Sequence, residues 1–120
     1  MKKNEVYNFI DNYSEVAILM DDDGIVIHHN NNVFDYQFFE KPILGKNISK
    51  IFLEKSKLLG PLTYAQALNC QEKDRLCWLQ QDTILNTEYY EDILYTTIRI
   101  IVALDREYLI LLINKAQSFK

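Results

Sequence analysis

Apolar residues between Lys3 and Tyr13 recur at helical spacing, with Val6, Phe9, Ile10 and Tyr13 on one face, so this segment predicts an amphipathic helix. The pattern then changes period. Val16-Ala17-Ile18-Leu19-Met20 is apolar at every position and is followed by Asp21-Asp22-Asp23-Gly24 and by Ile25-Val26-Ile27. An Asp-Gly step between apolar runs is a hairpin signal, and it predicts two antiparallel strands.

After His28 and His29, the asparagines Asn30 to Asn32 precede Val33, Phe34, Phe38 and Phe39, and they suit the start of a short helix that ends before Pro42. Asn47 can cap a further turn in which Ile48, Ile51 and Phe52 share a face. Gly60-Pro61 then introduces a helix over Leu62 to Asn69, with proline at a first helical position. Leu76 to Leu85, Ile93 to Ala103 and Tyr108 to Asn114 read as three more strands, joined by hairpin-length connections at 86–92 and 104–107.

The predicted fold class is therefore α+β, with a five-stranded antiparallel sheet, short helices on one face and an N-terminal amphipathic helix. Val16 to Met20 and Tyr108 to Ile113 are apolar at nearly every position, which demands burial on both sides. Those two strands belong at the centre, side by side, and the strand order is then 2-1-5-4-3. One domain is expected over 1–120, with a helix at 1–14, a core at 15–114 and a tail at 115–120.

Composition narrows the function. The chain has 120 residues, 48% hydrophobic and 25% charged, with a formal charge of −4, so it suits a packed globule and offers no basic run for a phosphate backbone. Direct nucleic-acid binding is not expected. No apolar block reaches the length of a membrane span or signal peptide, and a cytoplasmic location is the expectation. Cys70 and Cys77 stand seven apart, a spacing that fits neither a redox pair nor a zinc site, and they read as free thiols.

From Val16 to Gly45 the chain carries Ala17-Ile18-Leu19-Met20-Asp21-Asp22-Asp23-Gly24, then Asn30, then Ile43-Leu44-Gly45-Lys46. In this order the elements resemble the PAS family, where a strand, an acidic Gly turn, a strand ending in asparagine, short helices and an I-x-G-K-like step recur. The likeness covers the first half by motif and the second half only by its strand pattern. It implies a sheet with the last strand beside the first, a ligand or cofactor space between sheet and helices, and a conformational output to a dimer or effector. After the last strand, Asn114-Lys115-Ala116 stands where the family often has an Asp-x-Thr step into a linker.

The family's flavin photochemistry needs a cysteine in a motif to which Gly45-Lys46-Asn47-Ile48-Ser49-Lys50-Ile51-Phe52 corresponds; Ile48 occupies the reactive place, so that chemistry is disfavoured. Haem-binding relatives present histidine from the helix before the last three strands, and Pro61 to Asn69 has none. Haem through His28 on the second strand is the remaining, unfavoured route. The expectation is no cofactor. Candidates for lining an interior site are Phe38, Phe52, Tyr64, Leu68, Trp78, Ile98, Ile100 and His28, around a small apolar or mixed-polarity ligand; at these spacings a filled core is the plain alternative.

No catalytic constellation stands out. The only histidines are adjacent on one strand, Ser14, Ser49, Ser56 and Ser118 lie in no nucleophile elbow, and Asp21 to Asp23 lack the ligand spacing of a calcium loop, so no metal site is expected. The sequence predicts a non-enzymatic sensory or regulatory module and a homodimer built on Val6, Phe9, Ile10 and Tyr13, with an output domain in the same or another protein. The alternatives are a ligand-free dimerisation scaffold and a small α+β enzyme or ligand carrier. Glu88-Tyr89-Tyr90-Glu91-Asp92 is expected in a hairpin loop, as a possible docking tip.

Overall fold

Two strands without a polar face need cover on both sides, and they sit together in the middle of the sheet. In this computed structural model, which describes residues 2–35, 39, 42–90 and 93–116, β1 (Val16–Met20) pairs antiparallel with β5 (Glu107–Lys115), Ile18 opposite Leu111 and Leu19 opposite Ile110. With β2 (Val26–His29), β3 (Ile84–Tyr90) and β4 (Ile93–Ala103) they make a five-stranded antiparallel sheet in the order β2-β1-β5-β4-β3.

Strand alternation divides the side chains of the central pair between two cores. Val16, Ile18, Met20, Leu109, Leu111 and Ile113 face the larger core, which also holds Ile48 and Cys77 from the helices. Ala17, Leu19, Tyr108, Ile110 and Leu112 face the other way, onto helix α1 (Lys3–Asn12). Val6 and Ile10 of α1 are fully buried there, while Phe9 is exposed and Tyr13 half-buried. The N-terminal helix thus covers its own sheet, and two of the four residues expected at a dimer interface are consumed inside the chain.

The hairpin between β1 and β2 is fixed by its first aspartate. Asp21 Oδ1 accepts from the N–H groups of Asp23 and Ile25, each at 2.9 Å, and Gly24 takes φ +78°. A side chain at Gly24 would be strained by that φ and would stand 3.2 Å from Asn47 Nδ2. Arg106 pairs with Asp21 and Asp22, so the acidic triplet is a turn held by a cation. Beyond β2, buried Asn30 accepts from the Ala17 N–H and donates to the Glu15 carbonyl at 2.7 Å, and Asn32 donates to the carbonyls of Tyr13 and Glu15. Asn30 and Asn32, expected to cap a helix, instead clamp the link between α1 and β1; a 3-10 turn, Asn31–Phe34, begins directly after Asn30.

Asn47 caps α2 (Ile48–Leu59) by accepting from the Lys50 N–H at 3.0 Å, and Pro61 opens α3 (Pro61–Gln80), both as the sequence predicts. The end of α3 differs. Leu76 to Gln80, expected to begin a strand, form its last turn, because residues 61–80 include Thr63 as the sole β-branched residue among strong helix formers. The apolar side chains of α3 are spread round its circumference, which hides the helical period. At the other end of β3, Glu88 to Tyr90 are strand rather than loop, while Glu91 and Asp92 lie outside the described residues. Lys115, expected in the tail, closes β5. Among the described residues, no helix is long and apolar enough to cross a membrane.

Candidate functional site

Between the helical layer and the β3, β4 and β5 strands lies a cavity of about 70 Å³. Its walls come from Phe39, from Ile48, Ser49 and Phe52 of α2, from Ala67, Cys70, Gln71 and Asp74 of α3, and from the helix-facing side of the sheet. The face is set by the parity of β4. Tyr95, Thr97 and Arg99 line the cavity, whereas Ile98, Ile100 and Val102 pack on the α1 side.

Arg99 therefore enters a buried apolar interior, at 2% exposure, and every guanidinium nitrogen has a partner. Nε donates to Asp74 Oδ1 at 2.5 Å, Nη1 to Thr97 Oγ1 at 2.9 Å, and Nη2 to Glu88 Oε1 at 3.0 Å and the Cys70 carbonyl at 3.3 Å. Asp74 is held from its other side by Ser49, whose hydroxyl donates at 3.1 Å, and Asn86 donates to Glu88 at 3.1 Å. One cation thus ties α3 to β4 and β3, and Asp74 extends the tie to the first turn of α2.

Among the described residues the charges do not balance. Asp74 and Glu88 face a single guanidinium. Burial pushes the Asp74 pKa above its ordinary 3.8, against the pull of Arg99 and the Ser49 hydrogen bond. Burial alone would lower the Arg99 pKa, but Asp74 and Glu88 outweigh it and hold the guanidinium charged. Burial, and then the Glu88 charge, push the Cys70 thiol far up, so it stays protonated and is a poor nucleophile. Burial also raises the Cys77 thiol, which donates to the Asp82 carbonyl.

The Asp74 shift fixes the sign of a pH effect. A carboxyl whose pKa is raised on folding binds its proton more tightly in the native state, so its contribution is greatest in acid and is lost as pH rises from 3.8 through the raised value. Urea denaturation from about pH 3.5 to 8 should show wild-type stability falling relative to Asp74→Asn as pH rises through that interval. The opposite slope would mean that pairing with Arg99, not burial, governs Asp74.

Of the residues expected to line an interior site, Phe52 does so. Phe38 lies outside the described residues, and its neighbour Phe39 is in the wall. Tyr64 sits under the Lys57 ammonium, Leu68 is exposed, and Trp78 packs on the larger core without reaching the cavity. Ile98, Ile100 and His28 are across the sheet. His28 stacks on Tyr7 with ring centroids 4.1 Å apart and places Nε2 2.7 Å from Asp11 Oδ1, so it braces α1. His29 Nδ1 is 2.8 Å from the Asn30 carbonyl. Ile48, at the place of the reactive cysteine in the flavin-binding resemblance, lines the cavity from α2, and Cys70 lines it from α3.

Sequence reasoning passed over Arg99 and Asp74, and it placed Glu88 in a docking loop rather than at this site. Arg99 did leave a trace: it is the one charged residue in the run Ile98 to Ala103, and a charge inside an apolar strand marks a buried partner. Compared with known proteins, the sequence matches no family model and no curated protein.

Proposed function

We propose that the chain is a PAS-type sensory or regulatory module, in which events in the cavity beneath α2 and α3 are passed to the sheet and on to a partner. The observation that carries this reading is the Arg99 bridge. It joins the two layers at the cavity wall, so a ligand or proton arriving there changes the link between helices and sheet. The strand order, with the last strand beside the first and with α2 and α3 on one face, supports it as well. Discrete repacking of such a link is how a local event biases a dimer or an attached domain.

Native mass spectrometry of gently purified protein, followed by thermal unfolding against a metabolite set, tests the proposal. Retention of a small molecule is expected, or a rise in melting temperature of about 10 °C for a ligand at a hundred times its Kd. Protein that is monomeric by sedimentation, carries nothing and shifts with nothing has no sensory role.

A second reading, a ligand-free interaction scaffold, is favoured by one feature. On β3, beyond α1, Leu85 is 69% exposed, and Tyr89, which also borders the cavity, is 54% exposed. If that strip holds two copies together, Leu85→Glu converts a dimer to a monomer in sedimentation without changing the melting temperature of the monomer.

A further inference from the structure

We propose that the cavity beside Arg99 selects a small organic monocation, of the alkylammonium class, held by the excess negative charge of Asp74 and Glu88 and by the aromatic walls. The inference rests on the sensory reading only in assuming that the cavity is occupied.

Three observations converge on this class. Among the described residues, the charged ones lining the cavity are Asp74, Glu88 and Arg99, and together they carry one net negative charge when all are ionised. Away from water an unbalanced charge is costly, and it is neutralised by a proton or a counter-ion. Secondly, Phe39, Phe52 and Tyr95 line the same space, and aromatic faces attract cations most strongly where water is excluded. Thirdly, a cavity of about 150 Å³ takes benzene, so the volume of about 70 Å³ suits a ligand of about three or four non-hydrogen atoms.

The other ligand classes fit less well. An anion would add a third negative charge to the two present, and four of the five guanidinium N–H groups are already engaged. A neutral molecule of the same size leaves the charge as it was. The competitor is a proton on Asp74, which faces Arg99 from β4, Glu88 from β3, Ser49 from α2 and Cys70 from its own helix. A bound cation displaces that proton, so affinity should rise with pH.

The test is an amide NMR titration of the whole chain with n-propylammonium, 1-propanol and propionate, which share a shape and differ in charge. Propylammonium is expected to bind saturably, with Kd on the order of 1 mM given its size, and to move the amides of Tyr95, Thr97 and Arg99. Affinity should fall at least about tenfold in Glu88→Gln, which keeps the acceptor for Arg99 and removes the charge. Asp74→Asn makes the same charge change from the helix side if the first variant does not fold. Ala67→Leu, a residue buried in the wall, should abolish binding while all three charges remain. Propanol or propionate binding in place of propylammonium overturns the monocation class and leaves the sensory reading standing. No binding of any of the three, with the cavity amides unmoved, overturns the class and removes the cavity as a sensor for molecules of this size. Propylammonium shifts that persist in both Glu88→Gln and Ala67→Leu place the ligand elsewhere and overturn the site.

Discussion

Replacing Arg99 by methionine is expected to lower stability by about 3–5 kcal/mol at neutral pH, one of the largest effects of any single substitution in this chain. The side chain is 2% exposed and is the cation facing both Asp74 and Glu88. Methionine fills much of the same space, so the loss is chiefly that of leaving like charges together without a counter-charge. Two further measurements separate this from simple loss of packing. The deficit of Arg99→Met should shrink on acidification, because protonating Asp74 removes the charge repulsion between the two carboxylates. Combining Arg99→Met with Asp74→Leu and Glu88→Leu should recover most of the lost stability, since an apolar replacement of a whole buried ion network is often neutral or favourable. Urea denaturation of the single and triple variants reads both. A deficit that is independent of pH, and is not recovered by the triple change, would assign Arg99 a packing role only.

The same residue shows where the sequence was legible and where it was not. Sheet order could be read because β1 and β5 have no polar face, and a strand buried on both sides has few places to go. The hairpin at Asp21 to Gly24 and the starts of α2 and α3 could be read because Asn47, Gly24 and Pro61 act within a few residues of themselves. The parity of β4 was harder. In Thr96-Thr97-Ile98-Arg99-Ile100-Ile101 an apolar residue falls on each face, and choosing Ile98 and Ile100 as the inward pair reverses every side chain of the strand. The structure has Thr97 and Arg99 inward, a pairing that makes sense only once Asp74 and Glu88 are opposite them. Those partners are 25 and 11 residues away in sequence, and nothing local announces them. Glu88 was doubly hidden, since reading Leu76 to Leu85 as a strand moves the following loop onto it. The helical period of α3 was obscured for a related reason: the helix packs against α2, β3 and β4, so its apolar residues point several ways.

Leu109→Ala and Ile110→Ala should each cost about 2–5 kcal/mol, although the two residues are neighbours whose side chains point in opposite directions. Leu109 is fully buried under the helices with Ile18 and Met20, and Ile110 is 4% exposed beneath α1 with Val6 and Ile10. In a sheet with one solvated face, two adjacent positions do not both carry such a cost, because one of them touches water. Leu85→Ala on the exposed side of the edge strand β3 is the control and should change stability by no more than about 0.5 kcal/mol. Val6→Ala paired with Ile110→Ala adds a test of docking. If α1 is seated on the sheet, the double variant loses less than the sum of the singles, since the two residues share one cluster. An Ile110→Ala cost near that of Leu85→Ala, or strict additivity with Val6→Ala, would mean that α1 does not cover the sheet in solution. That face would then be open to a second copy, and Val6 and Ile10 would return as candidates for its interface.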